Sequence, residues 1–537
     1  MATRYRAPGV YVERLDANPQ HLGLGRTDVA GFVGVTERGP VQVPIKIESH
    51  RQFVTTFGAA MPYAYLWYAV AGFFENGGRT CWVVRVADPE QAGPARARLL
   101  IEGMAYVIAA GSPGEWGNAI TIEPVWGRDR VTHLIASTSD GRTQGLDVAQ
   151  LAAAPEEAFG HDRNNLLGVP DADLPELALD ALVRVMPDTP LLPTHVLGED
   201  RGPFFLSGGV NGLTSLEPRH FTGDPDHEWG VAALERLDDV SFVAVPDLMA
   251  GQDVRGPAPA FQPFSREQLQ DAQIDVITSC LRGRDRMAIL DLPPVSHNEV
   301  VRYRGKLPAS SFGALDHPSS FGALYHPWIA VVDPLRLRGA GRFVPPSGHV
   351  AGMFARTDRM RGVHKPPANE GLDGVFDVRE ALDDRAHGDL NEEAINAIRA
   401  IPGRGVRVLG ARTLDRDVRW RYVNVRRLFT AIAESLDEQM QWLTFEPNNP
   451  RLWRDIERSV SGFLERLFRA GMLDGGSSEQ AYFVRCDAST NPAPEVDDGR
   501  VMCVIGIQPP YPAEFVIVRI GVTRSGIQVE EKGAHDV

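Results

Sequence analysis

Apolar runs and amphipathic stretches alternate along most of the chain. Residues 29–35 form a continuous apolar run that is typical of a buried strand, and residues 81–86 form another. Between them, residues 62–76 place large apolar side chains on one helical face and end at two glycines, which predicts a helix. The N-terminal region therefore predicts a strand, a helix and a second strand.

From residue 206 onward, strands and helices alternate regularly. Apolar runs at 240–245, 287–292 and 328–332 predict three strands. The helices between them are predicted by capping boxes that begin at Ser265 and Ser296. This alternation predicts right-handed crossovers and an open α/β domain with a parallel sheet.

The intervening region, residues 90–205, has a different composition. A shift to Pro, Ala and Gly at 88–98 marks its start. Short β-like runs at 104–109 and 119–126 follow, and prolines interrupt the rest. We expect an inserted β-rich module here.

A short duplication lies next to the predicted strand at 328–332. The segment Ser310–Pro318 is followed at once by a near copy, Ser319–Pro327. One repeat of this length is too little to indicate a solenoid. A duplication in a surface loop is the simplest interpretation.

The last third of the chain predicts a mixture of helices and strands. One helix is expected over about 424–443, and a second begins at Pro450 with Asn449 as its N-cap. The strands that follow are expected at about 480–486, 500–508 and 514–523.

Both chain ends carry a short β-prone run without an evident partner. These runs are Val10-Tyr-Val12 and Gly526-Ile-Gln-Val-Glu530. A strand this short cannot hold itself in place, so it must pair with another sheet edge. If both ends add to neighbouring copies without closing a ring, the result is a helical filament. The residues alone therefore favour an assembly protein.

Composition and charge exclude several functional classes. The 537 residues carry 55 Lys and Arg against 70 Asp and Glu, and the net charge of −15 argues against a general binder of nucleic acid or of anionic membranes. The four cysteines form no CxxC pair, so neither a disulfide scaffold nor a zinc ribbon is expected, and each is interpreted as a small buried apolar residue. Without a signal peptide or a membrane-spanning run, we expect folding in a reducing cytoplasm.

The sequence lacks the common motifs of nucleotide binding and of hydrolysis. Asp247 and Asp291 follow two predicted strands, at the sheet edge where open α/β domains bind ligands. They are either a catalytic or metal-binding pair or, as we favour, carboxylates of loops and helix caps. A hydrolase triad of Ser296, His297 and Asp291 is a further alternative, but adjacency in sequence does not supply its geometry.

Two groups of polar residues have weaker implications. Four histidines in a loop-rich region lack the spacing of metal ligands and are expected to be structural or exposed; they are His317, His326, His349 and His364. The strongest basic patch consists of Arg416, Arg419, Arg421, Arg426 and Arg427. Alternation around 418–422 predicts a strand with arginines on one face, which is either solvated and ion-paired locally or in contact with an acidic partner.

Longer motifs stand out towards both ends. The N-terminal ones include Ala7-Pro-Gly-Val-Tyr-Val-Glu13 and Phe73-Phe-Glu-Asn-Gly-Gly78. The C-terminal ones include Val344-Pro-Pro-Ser-Gly-His-Val-Ala-Gly352, Gly410-Ala-Arg-Thr413, Phe445-Glu-Pro-Asn-Asn449 and Pro512-Ala-Glu-Phe515. With these motifs in this order, the chain resembles the tail sheath proteins of contractile phage tails and contractile injection systems. The resemblance covers 1–90 and 205–523, and 90–205 matches no family that we can name.

The resemblance implies a structural subunit of stacked hexameric rings around an inner tube. Its expected partners are copies of itself, an inner tube protein, and baseplate and tail-terminator or cap proteins, with no nucleic acid, membrane insertion, cofactor or metal. The extended sheath would be metastable and would contract to drive the tube through a target envelope without consuming a nucleotide. Assembly is expected in the bacterial cytoplasm, as part of a phage tail or of a phage-tail-like particle that is in some cases released. The alternatives are an outward-facing binding or baseplate-type protein of the same particle, and a subtilisin-like hydrolase.

The expected fold class is a multidomain α/β and α+β protein. It combines a core domain built from both chain ends, an open α/β domain that is subtilisin-like by resemblance, an inserted β-rich module and extended terminal arms. The expected divisions are a linking arm at 1–18, a first core segment at 19–89, an outward-facing module at 90–205, an α/β sheath domain at 206–370, a C-terminal core domain at 371–523 and a second arm at 524–537.

The resemblance also assigns roles to three sets of residues, none of them catalytic. The arm residues that contact neighbouring subunits are Val10, Tyr11, Val12, Glu13, Ile527 and Val529. The candidate contact with the inner tube is the patch from Arg416 to Arg427, with the helix from residue 450 as an alternative. The core motif residues are expected to form tight structural connections; they are Pro345, Pro346, Gly348, Arg412, Glu446, Asn448 and Glu514. Among them, Arg412 and Glu446 are expected to form a buried pair.

Overall fold

The structure of the chain is a computed structural model. It describes residues 22–101, 104–128, 130–148, 181–186, 194–196, 202–223, 227–254, 256–307, 318–336, 341–514, 518–523 and 526–531. The chain divides into a smaller unit, Met1–Gly25 with Ala431–Pro510, and a larger unit, Arg26–Thr430 with Tyr511–Val537. The predicted N-terminal arm strand, with Val10, Tyr11, Val12 and Glu13, lies outside the described residues.

A nine-stranded sheet forms the centre of the larger unit. In spatial order its strands are Glu370–Gly371, Gly405–Val408, Ile395–Ile401, Gly322–His326, Met287–Asp291, Phe242–Ala244, Ala30–Gly34, Cys81–Arg85 and Pro44–Ile47. The six strands from Ile395–Ile401 to Cys81–Arg85 run parallel, and the others are antiparallel at the two edges. The mixed α/β class is confirmed, and two of the three predicted strands, Phe242–Ala244 and Met287–Asp291, lie in the parallel part of this sheet.

The first strand of the chain lies inside this sheet. Ala30–Gly34 pairs with Cys81–Arg85 on one side and with Phe242–Ala244 on the other. The chain therefore adds strands first in one direction and later in the other, which makes this position the topological switch point of the sheet. The sheet also contains strands from all three segments predicted as 19–89, 206–370 and 371–523, so the predicted boundaries after residues 89 and 370 do not separate sheets. Hydrophobic periodicity locates a strand, but it does not say which strand lies beside it.

The larger unit contains several α-helices. They are His50–Phe57, Leu66–Glu75, Arg219–Thr222, Arg266–Gly283, His297–Arg304, Ser347–Arg361 and Asp384–Glu392, with short 3-10 turns at Glu115–Ala119, Ala232–Leu234, Pro246–Met249 and Pro318–Phe321. Both predicted capping boxes are formed, at Ser265 and at Ser296. The division between the two units falls within a further helix, Val423–Gln439.

The predicted strand at 328–332 is formed, but its place in the fold was predicted wrongly. Ile329–Val332 pairs antiparallel with Gly341–Val344 and Val375–Val378 in a separate three-stranded sheet. The parallel strand at this point of the chain is Gly322–His326, which lies in the second copy of the repeat and is buried throughout. The expectation of a surface loop is therefore wrong for that copy, because a strand covered on both faces need not show alternation.

The inserted region is β-rich, as predicted. One four-stranded sheet contains Thr194–Val196, Arg96–Ile101, Met104–Ala110 and Val183–Met186, and another contains Phe204–Phe205, Thr121–Trp126, Val131–Ser137 and Thr143–Asp147. The runs predicted at 104–109 and 119–126 are both strands. The two sheets contribute to one hydrophobic cluster of their own, with Leu99, Ile108 and Leu134 fully buried. This region therefore has a core that is distinct from that of the large sheet.

The smaller unit is built around the helix Pro450–Arg469. The Asn449 side chain caps it, accepting hydrogen bonds from the amides of Arg451 at 2.9 Å and Leu452 at 3.2 Å, as predicted. Its other elements are the short helices Ser478–Ala481 and Ala493–Asp497, a 3-10 turn at Gln441–Leu443 and the antiparallel strands Tyr482–Arg485 and Val504–Ile507. The chain near residue 25 is held in this unit, because the amide of Gly25 donates to the hydroxyl of Ser435 at 2.9 Å.

The C-terminal residues of the larger unit contain a β-hairpin. Val518–Thr523 pairs antiparallel with Gly526–Glu531, so that Val522 is opposite Ile527 and Ile520 is opposite Val529. The expectation that 526–530 is a strand without a partner in its own chain is therefore wrong. We name this element the terminal hairpin.

Candidate functional sites: the sheet crevice and the assembly surfaces

The switch point of the large sheet is filled by the carboxylate of Asp247. Asp247 follows Phe242–Ala244 and is completely buried. It accepts hydrogen bonds from the amides of Val35, at 2.7 Å, and of Tyr65, and Leu66 contributes a third. Tyr65 and Leu66 begin the helix Leu66–Glu75, so the carboxylate caps that helix from another part of the chain. Burial raises the pKa of Asp247 to about 6, against the effect of these amides.

Asp291 has the same role one strand further along the sheet. It ends Met287–Asp291 and accepts from the amide of Ser347 at 2.9 Å and from its hydroxyl at 2.5 Å. Ser347 begins the helix Ser347–Arg361. Burial, with a smaller contribution from the charge of Asp247, raises the pKa of Asp291 to about 7, against the effect of the two hydrogen bonds from Ser347. The favoured interpretation of both aspartates as cap carboxylates therefore agrees with their hydrogen bonds.

The hydrogen bonds of a hydrolase triad are not formed by Ser296, His297 and Asp291. The Ser296 hydroxyl donates to Glu299 at 3.0 Å, within the capping box. The imidazole of His297 pairs with Glu380 at 2.9 Å through its Nδ1. Asp291 is bonded to Ser347, so neither His297 nor Ser296 has the partner that the mechanism needs.

Glu380 instead joins two histidines beside a small cavity. Its two carboxylate oxygens accept from Nδ1 of His297 at 2.9 Å and from Nε2 of His326 at 3.0 Å. Against the effect of burial, these bonds hold the pKa of Glu380 down to about 2. His326, Glu380 and Trp328 line a cavity of about 240 Å³. Sequence reasoning missed this cluster, because Glu380 is separated from both histidines by more than fifty residues.

Neither His349 nor the rest of the described chain provides a metal site. His349 is buried against Gly72, and burial lowers its pKa to about 4. His317 lies outside the described residues. The part of the chain that the structure describes contains no group of three or more His, Cys, Asp or Glu side chains arranged to hold a metal ion. Among the same residues, no helix combines the length and the apolarity needed to span a lipid bilayer.

The motif around Pro345, Pro346 and Gly348 begins a helix that packs unusually closely. Ser347–Arg361 lies against Leu66–Glu75, and the contact uses glycines. A Cβ at Gly348 would lie 2.5 Å from the Cβ of Ala69 and nearer still to its backbone. A Cβ at Gly352 would lie 2.9 Å from the Cα of Phe73. Both positions therefore need a residue without a side chain.

Arg412 has an acidic partner, but not the predicted one. Its guanidinium forms a two-point pair with Glu514, with Nε 2.8 Å from Oε1, and it also donates to the carbonyl of Asn391 at 2.8 Å. Glu446 is exposed, so the predicted buried pair of Arg412 with Glu446 is wrong. The sequence offered several acidic residues, and spacing along the chain does not choose among them.

Asn448 has a structural role within the smaller unit. Its side-chain oxygen accepts from the indole of Trp453 at 2.8 Å, and its amide donates to the carbonyl of Arg500 at 3.0 Å. Together with the neighbouring cap residue Asn449, it fixes the start of the helix Pro450–Arg469. Hydrogen bonds of this kind are those expected of a tight structural connection.

The arginine patch predicted as one strand face is divided between different environments. No strand is formed at 418–422; the amide of Trp420 donates to the carbonyl of Asp417, which makes a turn. Arg416 and Arg419 are exposed and pair with Glu393 and Asp417. The prediction of a strand failed because an Asp side chain that bonds nearby amides stabilises a turn.

The last three arginines of the patch are less exposed to solvent than the first two. Arg421 is half-buried, and Arg426 stacks over the rings of Trp420 and Phe321, at 3.7 and 4.4 Å from their centroids. Arg427 is only 4% exposed and is ion-paired with Asp358. Its assignment to a tube-facing surface is therefore wrong.

Arg427 is the centre of a buried polar contact. Its guanidinium donates to Asp358 at 2.9 and 2.5 Å and to the carbonyl of Thr27 at 2.8 Å. The rings of Phe242 and Phe354 lie at 5.3 and 5.1 Å. This contact joins a strand, two helices and the first residues of the larger unit. It could not be found from spacing, because its members are far apart in the sequence.

Two small sheets have unpaired edges among the strands that the structure describes. Tyr482–Arg485 and Val504–Ile507 pair only with each other among the described strands, and the same holds for the two strands of the terminal hairpin. Each strand therefore has one side without a backbone partner in the described part of the chain. Phe483, on the first sheet, is 53% exposed, and Val504 is 40% exposed. An edge of this kind is a site for addition of a further strand.

The helix Pro450–Arg469 has one apolar face and one polar face, on which Arg458 lies 3.5 Å from Asp455. The apolar face is buried and includes Ile456, Val460 and Phe463. On the other side Arg451, Arg454 and Arg458 are exposed. Their spacing of three and four residues places them in a row along the helix.

Two family models match adjacent parts of the chain. Residues 261–414 match the central domain of phage tail sheath proteins, and residues 415–523 match their C-terminal domain. A putative prophage major tail sheath protein of Pseudomonas aeruginosa is 25% identical over 264 residues, 48% of this chain and 63% of the relative. The tail sheath protein of Enterobacteria phage T4 is 26% identical over 204 residues, 35% of this chain and 28% of the relative. The chain thus matches less than two thirds of the length of these relatives.

Similar solved structures cover nearly the whole chain. The sheath complex of an extracellular contractile injection system in its contracted state has a TM-score of 0.56 at 20% identity, with 98% of this chain and 99% of that one covered. A sheath tail protein from Listeria innocua has a TM-score of 0.56 at 12% identity, with 92% and 98% covered. At these identities the likeness concerns the fold. The matching families and structures are those of sheath proteins. Residues 261–523 therefore carry the central and C-terminal domains of the tail sheath protein family in tandem, on a fold like that of solved sheath subunits.

Proposed function

We propose that this chain is the subunit of a contractile sheath. Copies polymerise as stacked hexameric rings around an inner tube, and contraction of the sheath drives the tube through a target envelope. The observation that carries the proposal is the tandem match of residues 261–523 to the two sheath domains. Baseplate and terminator or cap proteins would bind the two ends of the sheath, and the β-rich module at 90–205 would face outwards.

Strand addition would join the subunits. The N-terminal arm, with Val10 to Glu13, is the proposed donor, and the unpaired edges of Tyr482–Arg485 and Val504–Ile507 are the proposed acceptors. The terminal hairpin, which includes Ile527 and Val529, provides a second linking element. A heterologous contact of this kind repeats without closing and so builds a filament.

The proposed contact with the inner tube is the exposed row Arg451, Arg454 and Arg458. It replaces the patch at 416–427, of which Arg427 is buried. Three unburied guanidinium groups on one helix face are suited to an acidic surface, and such a contact weakens as salt screens it. The proposal predicts that charge reversal at these positions reduces binding to the tube protein.

The finer fold assignment is also a proposal. The parallel sheet with its central switch point supports a subtilisin-like ancestry for the α/β domain. Fold alone does not give protease function, and the candidate triad lacks its hydrogen bonds. The particle would assemble in the bacterial cytoplasm before its release.

Electron microscopy of the purified chain tests the assembly. The wild type is expected to form hollow striated tubes, and deletion of residues 1–14 is expected to leave folded chains that do not polymerise. Tubes of normal length from the truncated chain would refute the role of the arm. Circular dichroism of the truncated chain is the control for folding.

A single backbone position tests the acceptor edge. The carbonyl of Ala481 accepts from the amide of Gln508, so these two residues form a hydrogen-bonded pair of the ladder. Hydrogen-bonded and non-hydrogen-bonded pairs alternate, which makes Val484 with Ile505 a non-hydrogen-bonded pair. The amide of Val484 therefore points away from the partner strand. Val484→Pro removes that outward donor, whereas the matched variant Val484→Ala keeps it. We expect tubes from Val484→Ala and none from Val484→Pro. Tubes from both would assign strand addition to another edge.

A further inference from the structure

Two cysteines of the smaller unit lie side by side. The last pair in the ladder of the small sheet is Arg485 with Val504, so the register brings Cys486 opposite Cys503 at the next position. Each thiol affects the pKa of the other, so the two sulfur atoms lie close together. Hydrogen-bonded and non-hydrogen-bonded pairs alternate along this ladder. Because the amide of Gln508 donates to the carbonyl of Ala481, the pair of Cys486 with Cys503 is a non-hydrogen-bonded one. The Cα atoms of such pairs lie about 4.5 Å apart. Disulfides need Cα atoms about 4.4–6.8 Å apart, so the backbone suits one.

The connecting segment is held in the shape that a disulfide would require. Asn491 is buried, and its side chain forms two hydrogen bonds with the backbone of Met502, at 2.6 and 3.0 Å. The same amide group lies 3.9 Å from the sulfur of Cys486. The residue before Cys503 is thus clamped beside Cys486 in the reduced protein, and closing the bond needs little rearrangement.

We propose that Cys486 and Cys503 are a site of oxidative modification, at which a small-molecule disulfide converts the two thiols into an intramolecular disulfide. The half-exposed Cys503 thiolate attacks a sulfur of the oxidant and releases one oxidant thiolate. The Cys486 thiolate then attacks the sulfur of Cys503 and releases the second. The two protein thiols are oxidised, the oxidant is reduced to two thiols, and the two protons pass to the released thiolates or to water.

The surroundings determine when this reaction proceeds. Burial raises the pKa of Cys503 to about 12 and raises that of Cys486 as well, so little thiolate is present near neutral pH. Oxidation is therefore slow in a reducing cytoplasm and accelerates with pH and with an oxidising medium. Cys81 and Cys280 are fully buried in the larger unit and serve as internal references.

The bond would lock the sheet to which we assign strand addition. It would close the segment between Cys486 and Cys503 and hold Tyr482–Arg485 in register with Val504–Ile507. Closing a loop of this size raises the thermal midpoint of a small unit by on the order of 10 °C. The chemistry does not depend on the proposed sheath function, because it is defined by the two thiols alone.

The experiment uses the full chain and oxidised glutathione at about pH 8.5. We expect the thiol count after denaturation to fall from four to two, with the loss of two hydrogen masses and a linked peptide that joins Cys486 to Cys503. Dithiothreitol should restore both thiols. Four free thiols after prolonged incubation, a stable glutathione adduct on the wild type, or disulfide-linked dimers would overturn the proposal.

Single variants separate the two steps. Cys486→Ser leaves the first step intact, so the glutathione adduct on Cys503 should accumulate. Cys503→Ser leaves only Cys486, which is 1% exposed, so we expect the slower reaction because the oxidant has less access to that sulfur. An adduct that forms equally fast in both variants would contradict the assigned order of attack, and the wild-type peptide map decides the proposal even if a variant fails to fold.

Discussion

Replacement of Gly348 by alanine tests the close packing of two helices in the larger unit. The added Cβ would lie 2.5 Å from the Cβ of Ala69, and closer to the backbone of that residue. Carbon atoms normally approach to about 3.5–4.0 Å, so the helices would have to separate by about 1 Å. Backbone atoms cannot rotate out of the way as a flexible side chain can.

The expected loss of stability in Gly348→Ala depends on which atoms the new Cβ meets. Overpacking of a core costs about 1–3 kcal/mol, and the upper end applies because the obstacle is backbone. A matched variant is available at Gly388, which lies within the helix Asp384–Glu392 and has no atom within 4 Å of an added Cβ. Gly388→Ala should stabilise the chain by up to about 1 kcal/mol, because alanine favours the helix.

Urea unfolding of the two variants, followed by tryptophan fluorescence and circular dichroism, measures the difference. We expect the midpoint to fall for Gly348→Ala and to rise for Gly388→Ala, with a separation of about 3–4 kcal/mol between them. If Gly348→Ala unfolds with or after the wild type, the helices are not packed as closely as described. An unchanged slope with denaturant concentration is the control that both variants unfold from the same state.

Three further predictions use the same unfolding assay. Arg427→Met and Asp358→Asn should each lower the free energy of unfolding by about 3–5 kcal/mol, because each leaves a buried charge unpaired. The double variant should lose less than the sum of the two single losses. Strict additivity would mean that the two groups do not interact. Burial raises the pKa of Asp291 from 3.8 to about 7. Between about pH 4 and 7, the folded chain therefore holds a proton on this carboxyl group that the unfolded chain has released. The stabilisation from that group falls as pH rises through this window. Relative to the wild type, Asp291→Asn should therefore be less stable at about pH 4.5 than at about pH 7.5, by about 3 kcal/mol. A pH-independent difference would contradict the raised pKa. Asn449→Ala should lower the stability of the smaller unit by about 1 kcal/mol through loss of its helix cap, whereas Asn449→Asp should preserve the cap; equal losses would assign the effect to another contact.

The sequence by itself determined the local elements of this protein and the family that it resembles. The run at 29–35, the caps at Ser265 and Asn449 and the β-like runs of the inserted module all correspond to elements of the structure. Such features are encoded over a few residues, because a strand or a helix cap depends on the period of side chains and on one or two local hydrogen bonds. Long motifs in a fixed order were enough to indicate the sheath family.

Only the tertiary structure decided which distant residues meet. Arg412 pairs with Glu514 rather than with Glu446, and Arg427 is buried with Asp358 rather than exposed on a patch. The chain contains many acidic residues, and a charged side chain has no preference along the sequence that would select one of them. The choice follows from the order and register of strands and from the packing of helices, which bring together residues that are remote in the chain.

The same distinction applies to the strand Gly322–His326 and to the thiols of Cys486 and Cys503. A strand with neighbours on both sides and on both faces lacks the alternation of a half-buried strand, so the pattern of the repeat suggested a loop. Each cysteine, taken alone, was interpreted as a small apolar residue, and only the register of Arg485 with Val504 places the two sulfurs together. Local patterns determine what each segment is, whereas the free energy of burying those segments against one another determines their neighbours, and that sum extends over the whole unit.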